Sequence, residues 1–220
     1  MAASRLPGKM LADVNGIPLL GVLTARLKQA SSINDIVIAT TTESADDAIV
    51  KFAKREGIQV FRGSEDDVLK RVVEAHQMMG SDIIVELCGD CPLIDPKIID
   101  LAIETFLSRE CDVLTTGVHQ SYPQGTEVQV FRRLDLEDVE RISEDQIVRE
   151  HVSLYFYEHP GLYRIEHLTA PLHLQAPGQR LQVDYPEDLE LVRQICAELM
   201  PVHGLHFTTL DILELLRNNP

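Results

Sequence analysis

No apolar run in the chain approaches the ~20 residues that a membrane span needs. The first residues form neither a charged-then-apolar signal nor a transit peptide. Positive charge is scarce: 20 Lys+Arg stand against 35 Asp+Glu in 220 residues, a formal charge of −15. That balance excludes a broad basic face for nucleic acid, so any polyanion must be met by local cations or by a metal. Cysteine is sparse as well. Cys88, Cys91, Cys111 and Cys196 are too few and too scattered for a disulfide scaffold, and a reducing cytoplasm is the expected setting. Nor is there a stretch poor in Leu, Ile and Val that would read as a disordered tail. What remains, 45% hydrophobic and 25% charged residues, is the make-up of a globular protein with one sizeable core.

The first half alternates between helical and extended periodicity. Residues 17–30 place Leu20, Leu23 and Leu27 on one helical face, and residues 35–40 form a β-branched run suited to a buried strand. Residues 43–57 return to helical spacing and end on Gly57. Residues 58–61 predict a strand, with a helix through Val68, Val72 and Ala75. A strand over 82–88, a helix over 96–109 and a strand over 112–116 continue the series. Strands separated by helices predict an α/β fold with a mostly parallel sheet and helices on both faces. After Gly117 the pattern changes. Residues 125–131 alternate with the period of a half-exposed strand, 144–158 predict a helix, and 162–168 and 172–174 predict short extended pieces. The stretch predicts an antiparallel excursion from the main sheet. A strand over 180–184, a helix from Pro186 to residue 199 and a last helix over 209–216 close the chain.

Ligands of open parallel sheets bind beyond the carboxyl ends of the strands. That rule singles out Asp90, in Cys88-Gly-Asp-Cys-Pro-Leu-Ile-Asp95, and Asp184, just before Tyr185-Pro186. Two carboxylates meeting in one crevice would suit Mg²⁺, which takes one or two protein carboxylates and fills its shell with phosphate oxygen and water. The same spacing suits a second reading, in which each aspartate caps the helix after it. The loop Ser4-Arg-Leu-Pro-Gly-Lys9 brings Arg5 and Lys9 into an acidic protein and can cradle phosphates, although it lacks Walker A spacing; two solvated terminal cations are the alternative. Cys88 and Cys91 lack the further ligands of a zinc site, and Asp90 between them opposes thiolate formation, so they read as small buried side chains around a turn. The histidines show no metal-ligand spacing, and there is no G-x-S-x-G elbow.

In order along the chain, the segments Ser4-Arg-Leu-Pro-Gly-Lys-Met-Leu11, Asn15-Gly-Ile-Pro-Leu-Leu20, Ala39-Thr-Thr-Thr42, Phe61-Arg-Gly-Ser64, Asp67-Val-Leu69, Gly89-Asp90 and Pro92-Leu-Ile-Asp95 resemble those of the sugar-activating cytidylyltransferases. Tyr122-Pro-Gln-Gly125, Arg149-Glu-His-Val152 and Val183-Asp-Tyr-Pro-Glu-Asp188 extend the likeness over nearly the whole chain. The enzymes that make CMP-linked octulosonates and sialic acids belong to this family, and the likeness is greatest to its spore-coat polysaccharide branch, SpsF. The resemblance implies a Rossmann-like nucleotidyltransferase (GT-A-like) fold, with residues 1–220 as one domain and 118–180 as an inserted dimerisation and sugar-binding excursion. It also implies that Arg5 and Lys9 bind the triphosphate of CTP and that Asp90 and Asp184 carry Mg²⁺. Arg62, Gly63 and Ser64 would lie near the base; Tyr122, Gln124, Glu127, Arg149 and His151 would lie near an acidic sugar. Catalysis would rest on Arg5, Lys9 and Asp90 in a cytoplasmic homodimer. The rival expectations are a guanylyl- or other nucleotidyltransferase acting on a sugar phosphate, a glycosyltransferase, and a nucleotide-binding protein without catalysis.

One departure stands out. The family opens with an apolar strand and an Ala-Arg pair before the Ser-Arg-Leu-Pro-Gly-Lys loop, whereas this chain opens at Met1-Ala-Ala-Ser4. The expectation is that this interior strand is lacking, through a start placed at an internal methionine, which would leave two neighbouring strands with unpaired edges.

Overall fold

The computed structural model describes residues 5–218; Ser4 and the expectation about the chain's start lie outside them. An Asn15-Gly16 turn joins β1 (Asp13–Val14) to β2 (Ile17–Pro18) in a short hairpin. Next come α1 (Leu19–Leu27), β3 (Val37–Thr41), α2 (Asp47–Arg55), β4 (Gln59–Gly63), α3 (Val68–Met79), β5 (Ile83–Glu86) and α4 (Pro96–Ser108). The second half holds β6 (Val113–Thr115), β7 (Gln129–Arg132), α5 (Arg133–Ile142), α6 (Gln146–Glu150), α7 (Leu154–Glu158), β8 (Ile165–His167), α8 (Pro186–His203) and α9 (Thr209–Asn218). Helix starts follow local chemistry. The Asp67 carboxylate accepts from the Lys70 amide at α3, and Asp95 accepts from the Lys97 amide with Pro96 in the first turn of α4.

β3 and β4 pair in parallel, Val37 opposite Gln59 through Thr41 opposite Gly63. A four-stranded sheet runs in the order β5-β7-β6-β8. β7 is antiparallel to both β5 and β6, and β8 is parallel to β6. β5, β6 and β8 therefore point one way and β7 alone opposes them, a mostly parallel sheet as expected. Helices cover both faces, and the two-residue period of the strands decides which core each side chain joins. Leu114 and Val130 pack with Leu20, Leu23, Ile99 and Phe106 from α1 and α4. Their chain neighbours Val113 and Phe131 pack on the other side with Leu69, Val73, Leu136 and Phe156 from α3, α5 and α7. A third cluster joins β1, α1, α8 and α9 through Val14, Val22, Val192 and Ile212, with Val183 from the segment before α8.

The excursion differs from its expectation. Its first strand, β7, lies inside the main sheet, between β5 and β6. It begins at Gln129 rather than 125 because the Gly125 amide donates to the Glu127 carboxylate at 2.7 Å, which turns the chain there. Residues 144–158 form two short helices, α6 and α7, and 172–174 form a 3₁₀ turn instead of an extended piece. Residues 180–184 are not a regular strand; their one bridge pairs Gln124 with Arg180.

The β3-β4 pair and the four-stranded sheet share no ladder, so β3 and β5 each present an unpaired edge among the described residues. Between them lies a cavity of about 860 Å³, lined by Ile36 and Ile38 on one side, Ile83, Val85 and Leu87 on the other, and Leu20 and Leu23 of α1.

Candidate functional site

Three segments far apart in sequence meet at one point. The Lys9 ammonium donates to Asp90 Oδ2 at 2.8 Å, to Asp184 Oδ1 at 3.0 Å and to the Val183 carbonyl at 2.8 Å. Lys9 is only 7% exposed and the two carboxylates 15% and 13%. Neither aspartate is a helix cap: Asp95 caps α4, and Asp188 accepts from the Asp184 and Tyr185 amides ahead of α8. Burial alone would lower the Lys9 pKa, yet its hydrogen bonds to Asp90 and Asp184 outweigh that and raise it. Burial likewise opposes the charge of Asp184, while hydrogen bonds from Lys9 and Arg180 hold its carboxyl below the ordinary range.

The fold builds this point from backbone outward. The Val183 amide donates to the Asp90 carbonyl at 2.9 Å, so the loop after β5 and the segment before α8 are tied directly beneath their side chains. The loop is also pinned from below. Arg26, wholly buried on α1, donates to the Leu93 and Ile94 carbonyls and to those of Leu205 and Phe207. Asp95 accepts from the Thr209 amide at 2.6 Å. Val183 itself is anchored in the core, which aims the next residue, Asp184, outward.

Other charges complete the cluster. Arg5 lies over the Tyr185 ring at 5.0 Å and reaches Asp184 at 3.4 Å. Arg180 binds Asp184 at 2.6 Å and Asp188 at 3.4 Å. Three cations thus face three carboxylates. In a protein of charge −15 this crevice is locally balanced, leaving room for an anionic ligand once one or more of these cations turns toward it. Gln182 donates to Asp90 at 3.3 Å, and Gln124 reaches Gln182 at 3.5 Å. A Cβ on Gly125, at φ +92, would lie 2.4 Å from the Gln182 amide nitrogen, so only glycine lets the 122–125 turn approach this closely.

The donors suit a hard cation. Two carboxylate oxygens and a carbonyl oxygen converge, with the Lys9 ammonium as a stand-in cation between them. No group of three or more His, Cys, Asp or Glu that could hold a metal occurs among the described residues. Asp90 and Asp184 are the two carboxylates such an ion would meet here, with phosphate oxygen and water to fill the rest of its shell.

The other sequence-derived candidates stand apart from this point. The Arg62 guanidinium is bound by the Thr41 and Glu43 carbonyls and by Asp47 at 2.8 Å, joining the end of β3 to α2. Gly63 gives space to Arg71, whose Cγ would lie 2.9 Å from an added Cβ, and the Ser64 hydroxyl accepts from the Asp67 amide. Arg149 is held by Asp67 at 2.6 Å and Glu140 at 2.9 Å, tying α6 to α3 and α5. Tyr122 is buried in the core, its hydroxyl without a hydrogen-bond partner among the described residues. Glu127 serves the Gly125 turn, and His151 is exposed at the mouth of the large cavity. Cys91 is buried but Cys88 is exposed, against the expectation of two buried thiols. The neighbouring Cys88 thiol and burial push the Cys91 pKa well up, which leaves it unreactive.

Sequence reasoning missed Arg180, Gln182, Tyr185 and Asp188. A search for the counter-charge of Asp184 would have found Arg180, four residues earlier. It also missed Glu86, whose Oε2 is buried without a hydrogen-bond partner among the described residues and whose pKa burial pushes up to about 7, against the opposing Ser153 hydroxyl.

Residues 1–207 match the model of the family described as cytidylyltransferase. The spore coat polysaccharide biosynthesis protein SpsF of Bacillus subtilis is 35% identical over 201 residues, 89% of this chain and 82% of the relative. A 3-deoxy-manno-octulosonate cytidylyltransferase of Chlorobium limicola is 26% identical over 237 residues, 88% of this chain and 92% of the relative. The solved structure of a cytidylyltransferase from Leptospira borgpetersenii superimposes with a TM-score of 0.93 at 31% identity, covering 99% of this chain and 90% of that one.

Proposed function

The chain belongs to the cytidylyltransferase family and is a nucleotidyltransferase, and from that premise we propose that it couples CTP to an acidic sugar, a nonulosonate or octulosonate, in surface polysaccharide biosynthesis. The products are a CMP-sugar and pyrophosphate. The observation that carries the reading is the meeting of Lys9, Asp90 and Asp184 within 3.0 Å of one point, from three separate segments.

In the proposed reaction a sugar hydroxyl oxygen bonds to the α-phosphorus of CTP, the bond from that phosphorus to the bridging oxygen breaks, and pyrophosphate leaves with its electron pair. The hydroxyl proton is lost to solvent. Such a displacement needs little covalent help, so alignment and charge neutralisation dominate. Arg5 and Lys9 are the cations within reach of a triphosphate in this crevice, and Arg180 steadies Asp184. Asp90 and Asp184 would hold Mg²⁺, which when bound supplies positive charge to the phosphates and lowers the pKa of the attacking hydroxyl. The Gln124–Gln182–Asp90 chain links the crevice to the 122–125 turn, where Glu127 and, farther out, His151 offer polar groups to a sugar. The Arg62-Gly-Ser64 corner is assigned to the base. Tyr122 and Arg149, engaged in the core and in helix ties, would act on the sugar only through the shape they give the pocket.

The test is pyrophosphate release with CTP, Mg²⁺ and a panel of acidic sugars, run beside GTP and UTP. Asp90→Asn is expected to lower turnover about a hundredfold or more with an unchanged circular dichroism spectrum. Turnover equal to wild type would remove the metal assignment.

A further inference from the structure

The strongest feature that the proposed chemistry leaves unexplained is the seat of Lys9. A phosphate-binding lysine is expected to keep its ammonium accessible to an arriving anion, as Arg5, whose side chain is 55% exposed, does. Lys9 instead directs all three ammonium protons inward, to Asp90 Oδ2, Asp184 Oδ1 and the Val183 carbonyl at 2.8–3.0 Å. Those are the oxygens a divalent ion would take. Mg²⁺–oxygen distances are about 2.0–2.1 Å, so an ammonium and a metal ion cannot share the point.

We propose that Lys9 occupies the cation site of the nucleotide-free protein, and that a divalent ion enters only as the Lys9 ammonium is drawn off by a polyphosphate. The inference rests on the metal assignment above and adds an order of events to it: ion and nucleotide arrive together, because the free ion alone must displace a seated cation. Two consequences follow from charge and space. The two carboxylates never face each other uncompensated, and the same side chain that leaves the metal position is delivered to the phosphates. The stem permits this, since a lysine ammonium is a point charge on a flexible four-carbon chain.

The experiment measures Mn²⁺ binding to the nucleotide-free protein by electron paramagnetic resonance of the free ion. Lys9→Met and Lys9→Gln are compared with wild type, the glutamine variant keeping a donor toward Asp90 in case the methionine variant does not fold. Both are expected to bind Mn²⁺ at least tenfold more tightly than wild type, and adding Asp184→Asn to either should abolish the gain. Arg5→Met removes an equal charge that reaches Asp184 at 3.4 Å from the exposed side but does not bridge it to Asp90, and is expected to raise Mn²⁺ affinity less than threefold. Equal affinity in wild type and both Lys9 variants overturns the proposal, as does an Arg5→Met gain as large as theirs. Should Mn²⁺ fail to bind any form even with CTP present, the metal assignment falls with it. Binding that requires CTP in the Lys9 variants as much as in wild type defeats this inference alone.

Discussion

At the scale of single residues, the crevice shows how an acidic protein prepares for an acidic substrate. Asp184 is served by three cations, Lys9, Arg5 and Arg180. Removing one partner from a pair as buried as Lys9–Asp184 costs about 3–5 kcal/mol when nothing replaces it. Glu86 presents the opposite case. Its carboxyl is buried in a wall of the large cavity and titrates at about 7. Because the folded-state pKa lies above the unfolded value, the favourable contribution is fully present below about pH 4.3 and is lost as pH rises through 7. The cost at pH 8 is on the order of 3 kcal/mol. Glu86→Gln is therefore expected to raise the unfolding midpoint at pH 8 and to flatten its dependence between pH 5 and 7, read by urea unfolding across that range. Arg149 makes a third case: its bonds to Asp67 and Glu140 are structural. Arg149→Met is expected to lower stability by about 2 kcal/mol in the same assay, with a change in KM for the sugar that corresponds to less free energy than that loss.

At the scale of elements, the helices of the first half and α8 and α9 were legible because their signals are local, whereas α5 was not expected at all. Asp67 before α3, and Asp95-Pro96 before α4, announce helix starts within a few residues. The strand at 180–184 was misread for the complementary reason. Leu181 and Val183 do alternate with half-buried neighbours, but a strand needs a partner, and the 122–125 turn opposite is too irregular to supply more than one bridge. β7 was placed outside the sheet because nothing within residues 125–131 specifies which strands it will separate. The slot between β3 and β5 belongs to this scale. An apolar cavity flanked by two strand edges that are unpaired among the described residues has backbone groups and space that would accept a further extended segment. An extended six-residue segment with apolar side chains on both faces, fused ahead of residue 1, is expected to raise the thermal midpoint by several degrees. A scrambled polar segment of equal length should leave it unchanged, and equal midpoints for the two fusions would show that the slot takes no strand.

At the scale of the whole molecule, no described helix is long and apolar enough to cross a membrane. The segment 118–180 carries several exposed apolar side chains, with Ile142, Ile147, Leu162 and Leu172 each more than half exposed. Together with the dimerisation role that the family resemblance implies for that segment, this predicts a sedimentation-equilibrium mass of twice the protomer. Leu162→Asp combined with Leu172→Asp is expected to shift that mass toward the monomer; an unchanged dimer would direct the interface elsewhere.

The alternation of helices and strands up to β6, the helices α8 and α9, and the choice of Asp90, Asp184 and the Arg5–Lys9 loop as candidates came from the sequence alone. Each depends on periodicity, on a cap or on a motif that neighbouring residues complete. Only the tertiary structure decided that Lys9 sits between Asp90 and Asp184, that Arg180 and Gln182 join them, and that Arg62 and Arg149 are bound by their own fold. The Lys9 and Gln182 contacts join residues far apart in the chain. Even the nearer partners of Arg180, Arg62 and Arg149 are chosen by where the backbone brings a cation to a carboxylate, which no local pattern encodes.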